Sequence, residues 1–142
     1  DVYKRQCVEY GAIQSDTGCT PWECHVRIYE GIEQLVREYQ LDAGAVESQF
    51  FFKNVRAALR IGEARSVAIL PLTRAGVPVF EYAPSRVKQA VVGRGSARKE
   101  QVQFMIQRIL NLREEVEPDD AADALALAIC HAHAERLRER IG

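Results

Sequence analysis

Ala43-Gly44-Ala45-Val46-Glu47-Ser48-Gln49-Phe50-Phe51-Phe52 is a largely apolar run that carries a single acid. It reads as a buried strand. Downstream, Ala57, Ala58, Ile61, Ala64 and Ala68 recur at helical spacing between Asn54 and Leu72, predicting a small-residue helix that packs closely on a sheet. Gly76 ends that helix, and Val77 to Tyr82 predicts the next strand, with Pro78 near its start. Strand, helix and strand in succession make an α/β domain.

The remaining segments extend this pattern outward. Val8 to Ile13 reads as a short strand and Gly18 to Pro21 as a turn. Ile28, Ile32, Leu35, Val36 and Tyr39 give an amphipathic helix from His25 to Gln40. Pro84 to Val92 predicts a short helix, and Gly93-Arg94-Gly95 a turn. Ser96 is the expected N-cap of a helix running to about Leu112, and a closing helix spans Asp120 to Ile141. Residues 1–7 match no element and are expected to be a non-native or disordered leader, leaving 8–142 as one domain.

The chain has 142 residues, 47% hydrophobic and 27% charged, values that suit one globular domain with a real core. No apolar run is long enough to span a bilayer and no secretory segment opens the chain, so a cytoplasmic protein without membrane contact is expected. Cys7, Cys19, Cys24 and Cys130 form no C-x-x-C pair, and Cys19, Cys24 and His25 have poor spacing for zinc. Reduced, structural thiols are the expected state.

Net charge is only −1, yet it is unevenly spread. Pro84 to Arg113 holds seven basic residues and one acid, while Glu114 to Asp123 holds six acids and no base. A basic surface beside an acidic cluster suits phosphodiester chemistry, in which one region holds the polyanion and the other the metal. A solvated helix face followed by a charged loop gives the same pattern.

Asp120 and Asp123 project from one face at the start of the last helix, whose residues Ala124 to Ile129 are all apolar. Carboxylates at the edge of a buried helix call for positive charge. The helix dipole supplies a little and a hard divalent cation far more. Asp119 is itself a good N-cap candidate, and acids in a first turn are common without any metal. Glu47 is the distant partner, an acid near the end of an apolar strand, where α/β proteins place their ligands. A solvent-facing Glu at a sheet edge is the alternative. His131 and His133 lie about three turns beyond Asp120, too far to share its ion, and read as packing or surface residues.

Several stretches taken together are specific. Gly44-Ala45-Val46-Glu47, Lys53 to Leu59, Gly62-Glu63-Ala64-Arg65, Phe80 to Pro84, Val87 to Gly93 and Asp120 to Ala126 closely resemble the RuvC family of crossover-junction endodeoxyribonucleases. The resemblance runs from about Gly11 to His133. It implies a ribonuclease-H-like mixed sheet flanked by helices and a homodimer that nicks two strands of a four-way DNA junction symmetrically. It also implies a site of four acids binding Mg²⁺, two ions per site with Mn²⁺ as a substitute, and work alongside the RuvA–RuvB branch-migration complex in recombination and repair. Glu47, Asp120 and Asp123 match three of those acids. The first catalytic Asp of the family, in an Asp-Pro-Gly motif, has no counterpart in these 142 residues. The first strands are therefore expected to be missing and the fragment to be inactive, and a junction-binding protein that does not cut is the alternative. Lys88 and Lys99 match basic residues that contact DNA in the family, Arg98 beside Lys99 is expected to bind DNA with them, and Phe50 matches an aromatic near the junction crossover, where stacking on a base is plausible. With Ser96 as cap, Arg98 and Lys99 fall in a first helical turn, a placement that suits a docked phosphate.

Overall fold

The computed structural model describes residues 6–48 and 54–142. Five helices and two strands occur among them in the order α1 (Pro21–Glu38), β1 (Gly44–Glu47), α2 (Val55–Arg74), β2 (Val79–Tyr82), α3 (Pro84–Val92), α4 (Lys99–Leu110) and α5 (Asp119–Ile141). The strands pair in parallel. Gly44 N–H donates to the Pro78 carbonyl at 2.8 Å and Ser48 N–H to the Tyr82 carbonyl at 2.9 Å, so both strands advance in step. Parallel strands need a crossover, and α2 provides it.

Local chemistry sets most element boundaries. Thr20 and Glu23 form a reciprocal capping box, Thr20 N–H to Glu23 Oε2 at 2.6 Å and Glu23 N–H to Thr20 Oγ1 at 3.3 Å. With Pro21 in the first turn, this box starts α1 several residues before the expected His25. Asn54 Oδ1 caps α2 by accepting from Arg56 and Ala57 N–H. At Gly44 an added Cβ would lie 2.8 Å from Leu72 Cδ1, so the Leu72 side chain of α2 packs against this strand residue and would have to shift for any larger one. Gly93 ends α3 at φ 88°, a left-handed cap.

Three expectations are corrected. Val8 to Ile13 forms no strand, and Val8 and Ile13 are both exposed. The sheet among the described residues consists of β1 and β2 alone. The N-cap of α4 is Arg98 rather than Ser96. Gln101 Oε1 accepts the Arg98 N–H at 3.0 Å and fixes the helix start there. The cysteines are not all reduced, because Cys19 and Cys24 are joined as a disulfide across the start of α1. Cys7 and Cys130 are free, as expected.

The described chain divides into two compact units. In one, residues 13–44 and 54–80, α1 packs on α2. An Arg74–Tyr29 hydrogen bond and a His25–Glu63 pair at 3.7 Å join the two helices. The other, residues 6–12, 45–48 and 81–142, packs α3, α4 and α5 together. Its core is Val87 and Val91 of α3, Val102 and Ile106 of α4, and a stripe of Ala121, Ala122, Leu125, Ala126, Ile129 and Cys130 on α5. The stripe repeats every three to four residues, so α5 is buried on one face only. Ala124 and Ala128 face solvent, although the sequence between Ala124 and Ile129 is wholly apolar.

Candidate active site

Glu47 is the last residue of β1 and is half-buried. Asp120 and Asp123 lie in the first turns of α5, both exposed, behind Pro118 as N-cap. All three belong to the same compact unit. Burial pushes the Asp123 carboxyl above the usual carboxylate range; the positive charge of Lys99 pulls it back, and Glu47, Asp120 and Asp119 push it further up. The Glu47 charge is among those that act on Asp123.

The acids form a loose group. Among the described residues no three His, Cys, Asp or Glu side chains stand close enough together to hold one metal ion. The donor chemistry fits a hard divalent cation, since every candidate ligand is a carboxylate and like charges crowd Asp123. The spacing is wider than a single ion requires.

Asp119 is not the helix cap its sequence position suggested. It is the first residue of α5, and its carboxylate turns instead to Lys99 Nζ at 2.7 Å and Gln103 Nε2 at 3.0 Å. Lys99 holds the Asp119 carboxyl below its ordinary value, and Asp119 raises the Lys99 ammonium in turn. Lys99 also feels Asp123 and Asp120, which places it beside the acid cluster. Of the other expected DNA-contacting residues, Arg98 is exposed at the start of α4 and Lys88 is half-buried in α3. Phe50 lies outside the described residues. The sequence reading attached no role to Gln103 or Tyr82. The spacing of Lys99 and Gln103 on one helix face was the available signal for the first.

A model of the family described as "Crossover junction endodeoxyribonuclease RuvC" matches residues 2–131. The chain belongs to the RuvC family. It is 45% identical over 135 residues to the RuvC crossover junction endodeoxyribonuclease of Caldanaerobacter subterraneus subsp. tengcongensis, covering 95% of this chain and 82% of that relative. The Chloroflexus aggregans RuvC is 47% identical with the same coverage. A solved Thermus thermophilus RuvC superposes with a TM-score of 0.85 at 34% identity, covering 93% of this chain and 80% of that one. T. thermophilus RuvC in complex with Holliday junction substrate superposes at 0.89 with the same identity and coverage. The α/β, ribonuclease-H-like fold and the endonuclease class implied by the resemblance therefore hold. RuvC enzymes are metal-dependent nucleases. No described helix is long and apolar enough to cross a membrane.

Proposed function

We propose that this chain acts on four-way DNA junctions in bacterial recombination and repair, with Glu47, Asp120 and Asp123 holding Mg²⁺ and Lys88, Arg98, Lys99 and Phe50 contacting DNA. The observation that carries the reading is that Glu47, at the end of a strand, and Asp120 and Asp123, at the start of a distant helix, fall in one compact unit, where the Glu47 charge acts on Asp123. The junction-bound RuvC relative supports the substrate. Two ions bound among these carboxylates, with Mn²⁺ able to replace Mg²⁺, would supply an activated water and stabilise the leaving 3′ oxygen.

The chain's own residues bind and orient. Basic side chains at the start of α4 hold the phosphate backbone beside the acids. Glu47, Asp120 and Asp123 would hold the cation, whose charge would offset their mutual repulsion. The Asp-Pro-Gly acid of the family does not occur in these 142 residues, so strand scission is assigned to a site completed by a fourth carboxylate. We further assign a homodimer, which places two sites on a symmetric junction, and action with the RuvA–RuvB complex in the cytoplasm.

A thermal-shift titration with Mg²⁺ and Mn²⁺ tests the metal assignment without relying on cleavage. Saturable stabilisation is expected for the parent chain and its loss in Glu47→Gln, Asp120→Asn and Asp123→Asn. Equal stabilisation of the parent and of all three variants would remove the three acids as ligands.

A further inference from the structure

Lys99 begins α4 and Asp119 begins α5, and their side chains tie the two helix starts together. Lys99 Nζ lies 2.7 Å from Asp119 Oδ2, while Gln103 Nε2 donates to Asp119 Oδ1 at 3.0 Å. Lys99 and Gln103 are one turn apart on the same face of α4, so a single helix face grips both oxygens of one carboxylate. The ion pair is accessible, with side chains 52% and 63% exposed.

The arrangement is unbalanced in an informative way. A cation in a first helical turn opposes the helix dipole, and Asp119 compensates for that. An anion at the start of α5 is favourable on its own account, so Asp119 does not depend on Lys99 in the same way. To the lysine, the carboxylate presents what a DNA phosphate presents: a negative charge and paired acceptor oxygens.

We propose that Asp119 is a built-in phosphate surrogate, an exchangeable latch that occupies Lys99 until a DNA phosphate displaces it. This rests on the reading of Lys99 as a phosphate contact. The latch makes Lys99 break an ion pair before it can engage DNA. It also frees a negative charge beside Asp120 and Asp123 at the moment DNA arrives, which favours uptake of a cation there. Counterions released from the DNA at Lys99 are thus partly offset by cations taken up at Asp119.

The test is the affinity for an immobile four-way junction in EDTA, over a range of salt, for the parent, Asp119→Asn, Lys99→Ala and the double variant. Asp119→Asn keeps an acceptor for Gln103 and removes only the charge. It is expected to tighten binding about two- to fivefold at low salt, the size appropriate to an exposed ion pair. It should also steepen the dependence of log Kd on log salt by about one. The gain must be larger with Lys99 present than in the Lys99→Ala background, because only there is a latch released. Equal gains in both backgrounds would mean simple charge repulsion, and weaker binding by Asp119→Asn would mean that the aspartate merely positions the lysine; either overturns the latch. If Lys99→Ala itself leaves affinity and salt slope unchanged, the phosphate-contact reading falls and the latch with it.

Discussion

Tyr82 Oη and His131 Nδ1 lie 2.7 Å apart, joining the end of β2 to the middle of α5. Tyr82 is only 6% exposed, and Arg86 sits over its ring at 5.9 Å from the centroid. The Tyr82 carbonyl also accepts the N–H of Ser48, the residue after Glu47. One tyrosine therefore holds the strand end that carries Glu47 and, through its hydroxyl, the helix that carries Asp120 and Asp123.

Tyr82→Phe keeps the ring and deletes this link. Loss of a part-buried hydrogen bond costs about 1 kcal/mol, and a lower urea midpoint with an unchanged m-value is the expected result. A midpoint equal to that of the parent would show that the hydroxyl contributes nothing to the packing of α5.

Burial holds the His131 imidazole below its ordinary pKa, so the fold favours the neutral ring. The stability it contributes is complete above the unfolded-state value, about 6.5, and is lost as pH falls through the lower folded-state value. Thermal midpoints should therefore fall more between about pH 6.5 and 5 in the parent than in His131→Gln. The carboxylates of Asp16, Glu23 and Asp119, held below their ordinary values by Arg27, Thr20 and Lys99 respectively, are lost only at lower pH. Parallel profiles for parent and variant would exclude His131 as the titrating group.

Asp123 carries the opposite sign. Its raised pKa means that ionisation above the unfolded-state value, about 3.9, costs the folded chain stability. Asp123→Asn at pH 7 is expected to raise Tm by about 1–3 °C while abolishing the response to Mg²⁺, an exchange of function for stability. Solvent screening at an exposed carboxylate keeps the gain this small. A variant that melts lower than the parent without metal would contradict this cost of ionising Asp123 in the fold.

Ile106 of α4 is fully buried, with 0% of its surface exposed. Ile106→Ala should destabilise by about 2–5 kcal/mol through lost transfer energy and the cavity left behind. Phe104, two residues earlier and 55% exposed, offers the matching control. Phe104→Ala should shift the urea midpoint far less, and comparable losses at the two sites would argue against the assigned core face of α4.

Several elements are legible in the sequence because their signals are local. The alanine spacing and Asn54 define α2, Pro84 and Gly93 bracket α3, and Gly76 separates α2 from β2. The Thr20-Pro21-Trp22-Glu23 box was equally local, and its full weight places the start of α1 where the structure has it. The run Ala124 to Ile129 misled about burial because alanine is tolerated on either face of a helix. Ser96 misled because a good capping residue is silent when Gln101 satisfies a different backbone N–H.

The sequence by itself determined the α/β succession, the family, and three carboxylates of which one ends a strand and two open a helix. Periodicity and capping act within a few residues, so they state which face a helix presents. They do not state which face it meets. The tertiary structure decided the partners: Asp119 with Lys99 and Gln103, Tyr82 with His131, and Glu47 near Asp123 without the three acids closing to ligating distance. Each of these depends on elements remote in the chain arriving at one place, which packing decides and no local pattern does; for Asp119 with Lys99 and Gln103 that packing is of α4 on α5.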